Sequence, residues 1–261
     1  MKILTVVAAL LVISTSAFAQ VPLGTAEDFA VLGGSAVTNT GPSVITGDLG
    51  VSPGSSATGF PPGVVIGTIH TANATAAQAQ IALTTAYNAA AGLPCGTDLT
   101  GQDLGGLTLT PGVYCFDTSA FLTGTLTLDM QGDPNAFFLF QTGSTLVTAS
   151  ASSIVLLNSG GATCPSNLFW QIGSSATIGT GSSFAGNILA LTSITLTTGA
   201  GMNGRALARN GAVTLDTNEV TICSAFVAPA IPPQVPALDF VGLLVLMVVL
   251  GGAGVFVMSR Y

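Results

Sequence analysis

The sequence predicts a mainly β protein, wound as a β-solenoid, with one long α-helix and a C-terminal transmembrane helix. Three observations predict this fold. A threonine-rich phrase recurs at intervals of 18–19 residues, which suits one coil of three short strands and three corners. Glycine occurs 33 times and charged residues make up only 6% of the chain, a composition typical of short strands linked by tight corners. One alanine-rich segment has no glycine until Gly92.

The first residues, MKILTVVAALLVISTSAFA, are typical of a secretory signal peptide. Lys2 supplies the basic start, a long apolar run follows, and the triplet Ala17-Phe18-Ala19 marks the cleavage site. The apolar run is short for a membrane span, which disfavours an N-terminal anchor. We therefore expect residues 1–19 to be removed and the rest of the chain to be exported.

A second apolar run, residues 240–258, has no charge over 19 residues, about the length that crosses a bilayer. A proline-rich linker, residues 228–239, precedes it, and the tail 259–261 carries Arg260, which favours the cytoplasmic side. The stretch VPALDFVG and this helix resemble bacterial C-terminal sorting signals, and a plain membrane anchor is the alternative. We expect a domain at the cell surface, anchored in the membrane by this helix or released after processing.

The domain between these ends, residues 20–227, is acidic and large enough for a core. Arg205 and Arg209 are its only cations, against ten carboxylates. Nucleic acids and anionic lipids require basic patches, so neither is an expected partner. We expect a monomeric domain without a metal or other cofactor, whose polar surface consists of Thr, Ser, Asn and Gly.

The four cysteines predict two disulfides, because their spacing matches no zinc site and an exported protein meets an oxidising environment. Three pairings are possible. Cys95–Cys115 is favoured because these residues stand about one coil apart. Cys164–Cys223 would then tie a late insertion to the last coil.

The repeat places threonines outside the solenoid and leucines or isoleucines inside, because side chains alternate along a strand. The one longer step in the repeat spans NSGGATCPSN, which we interpret as a loop insertion. Stacked coils should align the first threonine of each phrase in one outward ladder, with Thr197 beside it. The predicted ladder consists of Thr108, Thr127, Thr145, Thr177, Thr195 and Thr214.

The alanine-rich segment predicts one helix over about residues 73–91. Asn73 or Thr75 can cap its start, and Gly92 and Pro94 end it. Its larger apolar residues cluster on one side, and the helix is long enough to lie along several coils.

Several stretches resemble the ice-binding-protein-like β-solenoid domains of bacteria, archaea, fungi and algae. They include LGTAEDFAVLGGSAVTNTGPSVITGDLGVSPG, LTGTLTLDMQGDPNAFFLFQTGSTL and SSFAGNILALTSITLTTGAGMNGRALARNGAVTLD, and together they run from about Leu23 to Thr221. The resemblance implies a right-handed solenoid of triangular cross-section with the helix packed alongside. It also implies that the N-terminal coils stack out of sequence order, beside later coils.

The resemblance further implies adsorption to ice through one flat face, on which a regular array of methyl and hydroxyl groups orders water. The six ladder threonines and Thr197 are then the candidate ice-binding residues, and the partner is the ice surface. Some active relatives carry a Thr-(Ala/Gly)-x-(Thr/Asn) phrase. The corresponding stretches here, such as Thr180–Ser183 and Thr198–Gly201, never end in Thr or Asn.

Enzymatic chemistry is disfavoured. His70, the only histidine, has no serine, cysteine or carboxylate arrangement typical of a triad nearby. Asp129 and Asp133 fit a turn better than a calcium loop. A polysaccharide lyase needs a cationic base, and the domain has no lysine.

The positions of the charged residues distinguish ice binding from a second non-enzymatic function. We expect Arg205 and Arg209 to pair with carboxylates such as Asp216 or Glu219. The alternative to ice binding is a structural or adhesive surface domain, which protruding Asp129, Asp216 and Glu219 would favour over an unbroken Thr/Ser/Ala face.

Overall fold

Alternating inward apolar and outward polar residues build short parallel strands that stack into a solenoid. The computed structural model describes residues 21–223. The predicted signal peptide, the linker and the transmembrane helix lie outside the described residues. Within residues 21–223, no helix is long and apolar enough to cross a membrane.

The strands form three faces. A seven-stranded sheet, here called the threonine face, consists in layer order of β11 (Ala120–Leu122), β14 (Leu146–Thr148), β17 (Ala176–Ile178), β19 (Ile194–Leu196), β21 (Val213–Asp216), β2 (Ala36–Thr40) and β5 (Ser56–Thr58). A fifteen-stranded sheet forms the other two faces. The second face consists of β9 (Thr108–Leu109), β12 (Thr125–Asp129), β15 (Ser153–Leu157), the first halves of β18 (Ser183–Ala190) and β20 (Gly201–Ala208), β22 (Glu219–Thr221), β3 (Val44–Thr46) and β6 (Val64–Ile66).

The third face lies under the helix. It consists of β8 (Thr97–Asp98), β10 (Gly112–Phe116), β13 (Phe138–Thr142), β16 (Leu168–Ile172), the second halves of β18 and β20, β1 (Phe29–Gly33), β4 (Asp48–Val51) and β7 (Ile69–Thr71).

Two paired glycines let β18 and β20 continue around the corner between the second and third faces. Gly186 and Gly204 are register partners, and both have positive φ, 103° and 149°. A Cβ atom on Gly204 would lie 1.9 Å from the carbonyl oxygen of Gly186. Only glycine fits this corner, because any side chain would collide with the adjacent coil.

The N-terminal coils stack out of sequence order, as the family resemblance implies. Strand β2 pairs with β21, and β3 pairs with β22, so the coil of residues 36–51 lies against the coil of residues 213–221. Strand β1 pairs with β20. We call the junction between β2–β3 and β21–β22 the seam.

The coil length of 18–19 residues is confirmed where no loop intervenes, from Thr177 through Thr195 to Thr214 and from Thr108 to Thr127. The coils between these two stretches are longer because loops interrupt them at residues 130–137 and 158–167. The second of these loops is the insertion that the sequence predicts.

Helix α1 spans Ala74–Ala91, within one residue of the predicted bounds. Asn73 is the cap, and its Oδ1 accepts a hydrogen bond from the amide of Ala76 at 2.9 Å. The helix is about 27 Å long and connects β7 at one end of the stack with β8 at the other. Its inner side packs against the third face through Leu83 and Tyr87.

Large apolar and aromatic side chains fill the solenoid interior layer by layer. The rings of Phe140 and Trp170, on adjacent layers, stack with centroids 4.0 Å apart. Leu196 is fully buried, which confirms its predicted inward orientation. Because interior side chains of successive coils are in contact, the register of one layer fixes that of the next.

The disulfides join Cys95 to Cys115 and Cys164 to Cys223, with Cα–Cα separations of 5.8 and 5.6 Å. Both favoured pairings are confirmed. The second bond ties the 158–167 loop to the residues that follow β22, beside the seam.

Candidate functional site

A row of five threonines crosses the middle of the threonine face, one on each of five successive layers. We call it the threonine row, and in layer order it contains Thr177, Thr195, Thr214, Thr38 and Thr58. The residue before each of the first four threonines points inward and is fully or almost fully buried. Parallel strands repeat about every 4.7–4.9 Å, so the row presents a methyl and a hydroxyl group at that interval.

Two members of this row, Thr38 and Thr58, are missing from the sequence prediction. Both come from N-terminal coils, and neither is followed by leucine: Asn39 follows the first and Gly59 the second. The alternation of inward and outward positions in AVTNT, residues 36–40, does indicate an outward Thr38. Its place beside Thr214 depends on the seam, which the repeat alone does not reveal.

The prediction of one ladder with six threonines is wrong for three of them. Thr108 and Thr127 pair with each other on the second face, where Val155 continues their row. The same Thr-Leu phrase arises on both faces because each buries leucine inward and exposes threonine outward.

Thr145 lies on the threonine face but in an adjacent row, since Val147 is the register partner of Thr177. Backbone hydrogen bonds connect the layers of this adjacent row. Its members are Ser119, Thr145, Ser175, Ser193, Ala212, Ala36 and Ser56. The threonine row is therefore flanked by a second line of small side chains, most of them hydroxyl-bearing.

Thr197 borders the threonine row on the other side and is half-buried. Its hydroxyl donates to the carbonyl oxygen of Ile178 at 2.7 Å and accepts from the hydroxyl of Thr180 at 3.3 Å. These bonds tie two layers together. Thr197 thus contributes to the flatness of the face, with its hydroxyl already engaged by the protein.

Asp216 is the only charged residue in the seven strands of the threonine face. Its carboxylate accepts hydrogen bonds from the hydroxyls of Thr198 and Thr217. These bonds hold it against the corner of the face, where it is half-buried. Asp129 and Glu219 both lie on the second face, so the threonine face is the flatter and less charged candidate.

A buried polar cluster holds the seam next to the threonine row. The amide group of Asn218 donates to the carbonyl oxygens of Thr197 and Ala200, at 2.8 and 2.9 Å. The backbone amide of Asn218 donates to the hydroxyl of Ser43, which donates to Asn39. Three successive coils are thereby joined at one corner, and Thr38 is held in line with Thr214.

The two arginines do not pair with Asp216 or Glu219, contrary to the sequence prediction. Arg205 is 6% exposed, and it donates to the backbone oxygen of Glu27 and to the side chain of Asn187. Burial lowers its pKa, and the nearby Glu27 and Asp28 carboxylates only partly offset this. The guanidinium of Arg209 lies 4.9 Å above the ring of Tyr87, against the helix.

The side chains of His70 and Asp129 make structural contacts. His70 lies 3.3 Å from a carboxylate oxygen of Asp48 and 3.0 Å from the side-chain nitrogen of Asn73 at the helix start. Asp129 accepts from the backbone of Gln131 and the side chain of Asn158, as expected in a turn. Among residues 21–223, no group of three or more His, Cys, Asp or Glu side chains could hold a metal ion.

Asp103 closes the stack beyond Phe121 with an exposed carboxylate. Burial alone would raise the pKa of this carboxyl. Hydrogen bonds from the amides of Gly105 and Thr123 and from the Thr123 hydroxyl outweigh that effect and lower its pKa below the ordinary value. This end of the threonine face is therefore marked by a carboxylate that stays ionised at neutral pH.

Known proteins resemble this chain over most of its length. An ice-binding protein of Nostoc sp. (strain HG1) is 64% identical over 200 residues, covering 76% of this chain and 73% of its own. An ice-binding protein of Flavobacterium frigoris (strain PS1) is 38% identical over 216 residues, covering 77% and 76%.

Solved structures share the fold. The crystal structure of an ice-binding protein from an Antarctic biological consortium superposes with a TM-score of 0.76 at 46% identity, covering 82% of this chain and 96% of that chain. An ice-binding protein from the Antarctic ascomycete Antarctomyces psychrotrophicus gives 0.75 at 43%, covering 79% and 100%. The sequence model of the ice-binding-like family matches residues 31–221. The chain therefore belongs to the ice-binding-like family.

Proposed function

We propose that this protein adsorbs to ice through the threonine face. The observation that carries the proposal is the threonine row, five outward threonines in register on consecutive layers, flanked by a row of small side chains. The relatives that cover most of this chain are named ice-binding proteins, which supports the same function.

The physical basis is the ordering of water by a rigid array. Threonine methyl groups cannot hydrogen-bond, so water beside them bonds to other water and to the neighbouring hydroxyls. A regular repeat of both groups holds that water in a lattice-like arrangement, which can merge with a crystal surface. The β-branched side chains have few rotamers, so little conformational entropy is lost when they are immobilised against ice.

The absence of protruding charge on this face also favours lattice-like water. A long charged side chain carries its own hydration shell, which would compete with the lattice-like water. In the strands of the threonine face the single carboxylate, Asp216, is held down by two threonine hydroxyls. We infer from this that ordered water rather than a charged ligand is the partner of the face. Membership of a family named for ice binding supports the further proposal that the protein is not an enzyme.

Export and display at the cell surface are part of the proposal. Two disulfides support export, since such bonds persist in oxidising compartments. Residues 1–19 supply the signal, and residues 240–258 supply the anchor or the sorting helix. The domain of residues 20–227 would then face ice outside the cell.

Thermal hysteresis and ice-crystal shape test the proposal directly. The purified protein should open a gap between the melting and freezing points of ice and should produce faceted crystals. The same sample, unfolded by heating with a reductant, serves as the control and should lose both effects. Unfaceted crystals and no gap at high concentration of folded protein would refute ice binding and favour the structural or adhesive alternative.

A further inference from the structure

The central row of the threonine face changes character on its last two layers. Beyond Thr177 the register partners are Val147 and then Phe121. Phe121 points outward and is 50% exposed, while its neighbours Ala120 and Leu122 are buried in the core. Phe121 also forms a bridge to Asp103, the next residue along the stack.

On these two layers the flanking row consists of Ser119 and Thr145. The hydroxyls of Ser119 and Thr145 lie 2.8 Å apart and bond to each other across the layers. The two layers therefore offer ice a phenyl ring and an isopropyl group where the other five offer threonine. A carboxylate lies immediately beyond them.

We propose that Phe121 and Val147 bound the ice-contacting surface and restrict it to the five layers of the threonine row. This inference rests on the proposed function. The phenyl ring is bulkier than threonine and has no hydroxyl, so it both breaks the plane and interrupts the array. The adjacent Asp103 carboxylate retains its own water, which separates this end of the face from a crystal surface.

If this boundary exists, removing it should increase ice-binding activity, whereas most substitutions in a binding site decrease activity. Replacing the two residues in Phe121→Thr/Val147→Thr extends the threonine row from five layers to seven. Thermal hysteresis should rise above that of the wild-type protein at equal concentration. Both side chains point outward and threonine favours strands, so the variant should retain its fold.

Val155→Thr is the matched control. Val155 is also outward and 47% exposed, but it continues the row of Thr108 and Thr127 on the second face. The same chemical change at this position should leave thermal hysteresis unaltered. A similar rise in this control would overturn the proposal, because added hydroxyls would then act anywhere on the surface.

A phenylalanine scan gives a second, independent test. Thr177→Phe moves the boundary inward by one layer and should cause a partial loss of thermal hysteresis. Thr214→Phe interrupts the middle of the row and should remove most of it. Circular dichroism and thermal unfolding establish that each variant is folded.

Unchanged or lower hysteresis in folded Phe121→Thr/Val147→Thr, compared with wild type, would overturn the proposal and show that the apolar end itself contacts ice. Equal losses in the two scan variants would overturn it as well. If the double variant does not fold, Phe121→Thr alone and the scan decide the question. An inactive wild-type protein would instead refute the proposed function, so the two failures are distinguishable.

Discussion

Threonine and leucine have opposite roles at neighbouring positions of each strand. Thr195 faces outward with a half-exposed side chain, while Leu196 is fully buried against the adjacent coils. Buried side chains determine whether the coil folds, and exposed ones determine what its surface presents. Substitutions one residue apart should therefore separate stability from activity.

Leu196→Asp tests the inward position. The substitution places an unpaired charge among stacked apolar side chains, at a cost of several kcal/mol. We expect loss of the folded domain, measured by circular dichroism and urea unfolding. A urea midpoint equal to that of the wild-type protein would show that the assigned register of β19 is wrong.

Asp103→Asn tests the carboxylate at the end of the stack. The folded-state pKa of Asp103 lies below its unfolded value of about 3.9, so the ionised form stabilises the fold above that pH. This stabilisation is lost as the pH falls through the lower, folded-state pKa. The variant should be less stable than wild type at pH 7, and the difference should shrink in acid. A difference that grows on acidification would contradict the hydrogen bonds assigned to Asp103.

At the level of strands and corners, the sequence predicts some structural features and leaves others undetermined. The helix bounds, the inward leucines and both disulfides follow from capping residues, alternation and spacing along the chain. The face on which Thr127 lies cannot be predicted in this way, because both exposed faces use the same alternating phrase. The alignment of Thr38 with Thr214 cannot be predicted either, because it is set by pairing between residues more than 170 positions apart.

At the seam, Asn218→Ala should both destabilise the domain and weaken ice binding. It removes two hydrogen bonds to backbone carbonyls and one from the backbone amide of Asp216, each of which contributes about 0.5–1.5 kcal/mol. Without these bonds the coil that carries Thr214 is held less firmly against the coil that carries Thr195, so neighbouring threonines of the row lose their alignment. Chemical denaturation and thermal hysteresis are the measurements.

The matched control for the seam is Asn203→Ala, because Asn203 is an exposed asparagine on the second face. This variant should change neither the urea midpoint nor the hysteresis. Equal effects of the two asparagine substitutions would show that the Asn218 side chain has no special role in aligning these coils.

For the whole molecule, the disulfide between Cys164 and Cys223 ties the inserted loop to the residues that follow β22. Replacing both cysteines with serine should lower stability by about 2–4 kcal/mol, since the unfolded chain loses a restraint. The threonine row contains neither cysteine, so thermal hysteresis measured well below the melting temperature should persist. A large loss of activity in the folded variant would show that the bond positions the ice-binding face.

We assign ice binding to the threonine face and to no other face of the solenoid. Thr195→Tyr and Thr127→Tyr make the same change at two half-buried, outward positions, one on the threonine face and one on the second face. Each should cost under about 0.5 kcal/mol of stability, as surface substitutions usually do. The most direct measurement is the thermal hysteresis of these two variants beside the wild-type protein. We expect loss of most activity in Thr195→Tyr and full activity in Thr127→Tyr, and the reverse pattern in two folded variants would contradict the assignment of ice binding to the threonine face.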